Sequence, residues 1–246
     1  MNSFKLFLSL LLKGVLIAIT FVGILSIPLY FLGDQLCEAE DALEREKQER
    51  IKEIVTQSYN GIDVSHHNGK LNWKQIATNP CIEFVYIKAT EGANYVDAQY
   101  NNNVSGARRQ GILVGAYHYF NSKPAQQQFK NYSSVVRKNQ IDLIPVIDVE
   151  AFGLRAYQGN WKAIRQNLLS LATLMRRHYG QQPILYLNHD TYTMLGNLDD
   201  FKIWLMSMRN NNIVPKNTVI HQRDGTKAIN GVPTDINWAN NLDELK

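Results

Sequence analysis

Four acids stand where short apolar runs end. Asp63 closes Tyr59-Asn-Gly-Ile-Asp63, and Asp148 and Glu150 close Ile144-Pro-Val-Ile-Asp-Val-Glu150. Asp235 lies in Thr234-Asp-Ile-Asn237 near the C-terminus. In a strand, residues i and i+2 point to one face with Cα atoms about 6.6 Å apart. Asp148 and Glu150 are therefore expected side by side. Two carboxylates sheltered together cannot both ionise cheaply, so at least one keeps its proton to higher pH. Glycoside cleavage uses such a pair: one carboxylic acid protonates the leaving oxygen, and a second carboxylate stabilises or attacks the developing cation. Taken singly, a strand-end acid is ordinarily a cap, a turn or an ion-pair partner, and Lys88 with Glu91 is expected to be a structural pair of that kind. A divalent-metal site is the chemical alternative for an acid cluster beside His66 and His67, although paired histidines in a turn are commonly plain surface.

The elements that must position these acids alternate. Strand candidates are residues 59–63, 84–89, 113–119, 143–150, 184–187, 203–206 and 218–222. Several are apolar on both faces, as buried parallel strands are. Helices are expected between them: one capped by Asp97 and running toward Arg109, one opening after Ser122 and Pro124, and one from Asn160 to His178 stopped by Gly180. The last places Leu168, Leu171, Ala172 and Met175 on one face. Repeated strand–helix units imply an α/β fold with helices outside a mostly parallel sheet. So many units in about 190 residues favour a barrel or incomplete barrel over an open doubly wound sheet, with function at the carboxyl ends of the strands. No glycine-rich phosphate loop opens a helix, and no cofactor is expected.

The motifs resemble glycoside hydrolase family 25, the Chalaropsis-type lysozymes or N-acetylmuramidases. The resemblance runs in order from residue 59 to about 241. It rests on Gly61-Ile-Asp-Val-Ser-His-His-Asn-Gly69 with Trp73, on Phe84-Val-Tyr-Ile-Lys-Ala-Thr-Glu-Gly92, and on Gly111-Ile-Leu-Val-Gly-Ala-Tyr-His-Tyr-Phe120. Pro145-Val-Ile-Asp-Val-Glu150, Pro183-Ile-Leu-Tyr186 and Asn230-Gly231 with Asp235-Ile-Asn237 complete it. It implies a flattened, incomplete β/α barrel of the TIM-barrel kind and hydrolysis of the β-1,4 bond between N-acetylmuramic acid and N-acetylglucosamine in peptidoglycan, without a metal. By position Glu150 is the implied general acid, Asp148 its partner carboxylate, and Asp63 and Asp235 the other acids of the floor; first and last strands of a barrel are neighbours, so these two can meet. Tyr117 and Tyr186 are the implied aromatic groove residues, with His67 and Tyr119 as further sugar contacts. Two departures stand out: His221-Gln222-Arg223 replaces a Trp-Gln-Tyr-like strand, and Trp204-Leu-Met-Ser-Met208 replaces one ending in Ala and Tyr. They put substrate preference in question while leaving the acids in place. A wall-binding module with a decayed site is the alternative.

Ahead of this domain (residues 59–246) the composition changes twice. Residues 14–32 carry no charge, which is long enough to cross a hydrocarbon core; Lys5 and Lys13 precede them and Asp34, Glu38, Glu40 and Asp41 follow. This reads as a membrane anchor over residues 1–33, with the domain on the extracytoplasmic side. A cleaved signal peptide, and hence a secreted protein, is the rival, but Ile27-Pro-Leu-Tyr-Phe-Leu32 lacks the small residues of a cleavage site. Residues 34–58 hold eight acids and four bases and read as a solvated helical stalk over residues 37–55. The chain's net charge of +4 therefore hides a mildly basic domain, suited to an anionic wall polymer. Without a basic run interleaved with aromatics, nucleic acid is excluded as a partner. The catalytic domain is expected to be monomeric. Two cysteines, Cys37 and Cys81, exclude a disulfide scaffold, and Cys81 is expected to be buried and inert.

Overall fold

In the computed structural model, residues 35, 38–47, 59–206, 214–229 and 231–246 are described, save the side chains of 223–227. The chain divides into two units, Met1–Ile51 and Lys52–Lys246, each taken by itself. In the first, residues 38–47, within the expected stalk, are helical and mostly exposed, with Lys47 Nζ 3.8 Å from Glu44 one turn earlier. The expected anchor and Cys37 lie outside the described residues, and among the described residues no helix is long and apolar enough to cross a membrane.

Among the described residues the second unit holds nine strands: β1 Gly61–Val64, β2 Phe84–Glu91, β3 Tyr95–Val96, β4 Leu113–Tyr119, β5 Val146–Asp148, β6 Ile184–Asn188, β7 Ile203–Met206, β8 Thr218–Ile229 and β9 Val232–Ala239. Their order is β1-β9-β8-β7-β6-β5-β4-β2-β3, and β1 also pairs with β2. Eight strands thus close a barrel-like ring, with β3 folded back on β2. All neighbours are parallel except β9, antiparallel to both β8 and β1, and the β2–β3 hairpin. The pairing ring closes; the incompleteness expected from the sequence lies in the helical layer, since β8 and β9 form a hairpin with no helix between them. The helices are α1 Trp73–Ile76, α2 Tyr100–Arg108, α3 Ala125–Val135, α4 Ala151–Leu154, α5 Trp161–Tyr179 and α6 His189–Leu195.

Strand parity explains why the runs read as apolar on both faces. Phe84, Tyr86, Val146, Ile184, Tyr186, Trp204 and Ile220 fill the barrel interior. Their alternates Val85, Ile87, Ile147, Leu185, Leu187, Ile203 and Leu205 pack outward with the helices. The outer layer is anchored by α5: Asn160 Oδ1 accepts from Ala163 N–H, and Gly180 ends the helix with φ 88°, a left-handed turn glycine adopts without strain. Ile164, Leu168, Leu171, Ala172 and Met175 form its buried stripe.

Three expectations are corrected. Asp97 does not cap α2, which starts after Gln99. Its Oδ1 accepts from Gln99 N–H at 2.9 Å and its Oδ2 from His66 N–H at 2.9 Å, so the carboxylate ties two loops together. Cys81 is exposed rather than buried; the core position beside it is taken by Ile82. The last strand pair is far longer than residues 218–222, because Pro233 and the polar Thr-Asp-Ile-Asn stretch conceal β9, an antiparallel strand with one wet face.

Candidate active site

Parity carries inward-facing side chains up to the carboxyl ends of the strands. Asp63 follows outward Ile62 on β1; Tyr117 and Tyr119 alternate with outward His118 on β4; Asp148 follows Val146 on β5; Tyr186 lies on β6, Trp204 on β7 and Gln222 on β8. All eight predicted residues (Asp63, Asp148, Glu150, Asp235, Tyr117, Tyr186, His67 and Tyr119) line one open cleft of about 710 Å³. Lys88 and Glu91 line it too. Three apart, they would face opposite ways on a regular strand, but the β2–β4 register shifts between Lys88 and Thr90. This irregularity turns Glu91 back to the cleft, where Lys88 Nζ meets its Oε2 at 2.8 Å. The expected ion pair is present, and it is part of the cleft wall.

The acids form two couples. Asp63 sits opposite Asp235 in the antiparallel β1–β9 register, so barrel closure joins residues 172 positions apart in the chain. Burial, and then the charge of Asp235, push the Asp63 carboxyl up to about 7. Working against this, Asn237 Nδ2 and Gln222 Nε2 donate to Asp63 Oδ1 at 2.8 and 3.0 Å. Both amides are themselves held: Trp204 Nε1 donates to Asn237 Oδ1 at 3.0 Å, and the Tyr186 hydroxyl donates to Gln222 Oε1 at 2.5 Å. Asn237 stood in a matched segment and Gln222 in a departure from the family pattern, neither with an assigned part. Their inward parity on β8 and β9 was the missed signal, and β9 itself was not recognised.

In the second couple Asp148 is buried, 7% exposed, while Glu150 lies beyond the strand end and is partly open. Asp148 Oδ1 is buried with no hydrogen-bond partner among the described residues. Burial first, then the charge of Glu150, hold the Asp148 carboxyl well above the usual carboxylate range. Burial also raises Glu150, opposed by the hydrogen bond that the Tyr119 hydroxyl donates to Oε2 at 3.4 Å and by the charge of Lys88. Groups this closely linked titrate together, so the raised affinity for a proton belongs to the pair.

A sheltered cleft with two like-charged carboxyl couples and aromatic walls can protonate a leaving oxygen and stabilise a cation, as sugar cleavage requires. The sequence profile of glycosyl hydrolases family 25 matches residues 62–232. The chain belongs to this family. Its barrel resembles the solved structure of a family 25 glycosyl hydrolase from Bacillus anthracis (25% identity, TM-score 0.66, covering 75% of this chain and 89% of that one). A bacterial lysozyme from Streptomyces coelicolor is equally similar (25% identity, TM-score 0.66, covering 76% and 95%). Among curated proteins, YegX of Escherichia coli K12 is 29% identical over 162 residues, which is 63% of this chain and 58% of that protein. The chain thus spans less than two thirds of that relative's length.

The family 25 domain uses its histidines differently from one another. His67 is exposed at the cleft, whereas His66 Nδ1 lies 2.8 Å from buried Asp97. Among the described residues no three His, Cys, Asp or Glu side chains are grouped to hold a metal ion. Of the two departures seen in the sequence, the one at Trp204-Leu-Met-Ser-Met208 ends on residues outside those described, and the other can be placed. Gln222 keeps an inward role, while His221 is turned away from the cleft and buried, which lowers its pKa to about 4.

Proposed function

We propose that the protein is a muramidase, hydrolysing the β-1,4 bond between N-acetylmuramic acid and N-acetylglucosamine in peptidoglycan. The observation that carries this reading is the meeting of Asp63, Asp148, Glu150 and Asp235 in one cleft, with the Asp148–Glu150 pair holding a proton above the normal carboxylate range. Glu150 is the general acid, being the member of the pair open to the cleft. It gives its proton to the glycosidic oxygen as the C1–O bond breaks and the acetamido oxygen bonds to C1; water then displaces that oxygen, leaving its hydroxyl at C1 and returning a proton to the Glu150 carboxylate. Asp148, ionised while the shared proton sits on Glu150, holds that proton in place by its charge and faces the positive charge growing at C1. The same cation stabilisation comes from Asp235 and Asp63. The 2-acetamido group of the substrate serves as the internal nucleophile, and the carboxylates act on the cation by charge. Tyr117, Tyr119, Tyr186 and His67 hold the sugars by ring packing and hydrogen bonds. The retention of all four acids weighs against a decayed wall-binding module.

The test is mass spectrometry of peptidoglycan digested with the purified chain. Fragments ending in reducing N-acetylmuramic acid are expected. Reducing N-acetylglucosamine, or no release from several wall types, overturns the assignment, and the anomeric proton of the first product gives the stereochemical course. We infer further that residues 14–32 anchor the protein with its domain outside the cytoplasmic membrane, supported by Lys5 and Lys13 on one side and the acids from Asp34 on the other. Fractionation with protease accessibility checks this: a soluble, shortened protein in the medium contradicts it.

A further inference from the structure

The rings at the floor of the cleft are sunk into the barrel: Tyr186 is 8% and Trp204 2% exposed. Phe152 is the contrast. It lines the same cleft two residues after Glu150, yet it is 63% exposed. Single exposed hydrophobics need no explanation on a surface, but this one is held in place. It sits in α4, a single turn pinned on both sides. Leu154 is buried, and its N–H donates to the Glu150 carbonyl at 3.2 Å. Gly153 lies so close to the chain just past β4 that a Cβ there would be 2.1 Å from the Phe120 carbonyl oxygen. The ring is backed as well: the Arg155 guanidinium lies 3.5 Å from its centroid, with Nε donating to the Phe152 carbonyl at 3.2 Å. A cation on one face leaves the other for a ligand.

We propose that Phe152, backed by Arg155, is a stacking platform that sets how firmly the cleft holds an N-acetylated amino-sugar polymer. A pyranose presents a face of C–H groups that packs on an aromatic ring. A platform fixed to the turn that also carries Glu150 registers the polymer relative to the acid without the entropic cost of ordering a loop. Phe152 is thus a specificity-determining residue, resting on the glycan-hydrolase reading above.

The experiment separates the two claims by measuring binding without turnover. In Glu150→Gln protein, calorimetry with purified peptidoglycan glycan strands is expected to give a Kd about tenfold weaker on adding Phe152→Ala, and Phe152→Trp restores it. In the active enzyme Phe152→Ala raises KM by a similar factor and leaves kcat within about twofold, since remote binding lost equally from ground and transition states moves KM alone. A Kd within about twofold of the parent, or no glycan binding by the Glu150→Gln protein, overturns the platform. If Phe152 governs binding while the native chain cuts no wall polymer, the platform stands and the hydrolase reading falls.

Discussion

On β4, neighbouring residues serve two polar clusters with opposite treatments. Tyr117 and Tyr119 face the cleft, where like charges are set against each other and Asp148 Oδ1 has no hydrogen-bond partner among the described residues. His118, between them, faces the outer layer and is fully satisfied: Nε2 meets Gln128 Oε1 at 3.1 Å and Nδ1 meets the Thr90 hydroxyl at 2.7 Å. The Gln128 amide nitrogen is committed to the carbonyls of Asn121 and Lys123, so Oε1 must accept from Nε2–H and Nδ1 accepts from Thr90. Burial lowers the His118 pKa to about 4 and leaves it neutral at working pH. Both clusters are sheltered, but one is completed for stability and the other left in electrostatic tension. Tension of that kind is what an acid catalyst needs, and it is expected to cost stability.

The sharpest way to break this contrast is Glu150→Gln. It keeps the shape, removes the proton donor and relieves the repulsion at Asp148. Loss of activity by about 10³-fold is expected, with a thermal midpoint equal to or above the parent's; a lower midpoint would mean that Glu150 is structural.

Asp63→Asn comes next. The folded pKa of Asp63 is about 7 against an ordinary 3.8, so between these values the folded state binds more protons than the unfolded one. Its contribution to stability therefore falls as pH rises from about 4 to 7. Asparagine can still accept from Asn237 and Gln222 and escapes that loss. The variant should match the parent near pH 4 and exceed it by about 2–4 kcal/mol at pH 8, read from urea melts at several pH values. His118 works the other way: its lowered folded pKa makes stability rise with pH from about 4 to 6.5. A gap between the variant and the parent that does not widen with pH would dismiss the Asp63 account.

Thr90→Val probes the satisfied cluster. It leaves a buried imidazole nitrogen without its donor at nearly constant volume, costing about 1–3 kcal/mol of stability, while kcat/KM per folded molecule stays within about twofold. A kinetic defect larger than the stability loss would show that the two clusters are coupled.

The smallest effect is expected from Lys88→Met. The ammonium favours the ionised forms of Asp148 and Glu150, so without it the alkaline limb of the pH–activity profile should move to higher pH. A profile that stays in place assigns Lys88 to the Glu91 pair alone.

The local signals in the chain were sufficient for much of this. The two-residue period placed Asp148 and Glu150 on one side of a strand end, two-faced apolar runs announced parallel strands, and Asn160 with Gly180 bounded α5, because each depends on residues adjacent in sequence. The tertiary structure alone decided three things. Barrel closure put Asp63 opposite Asp235 in register. The bend in β2 turned Lys88 and Glu91 to the same cleft. A return strand hidden behind Pro233 delivered Asn237, and β8 delivered Gln222, to the Asp63 carboxylate. Each of these joins segments far apart in the chain or depends on how a neighbouring strand is paired, and no periodicity within a single segment encodes its partner's register.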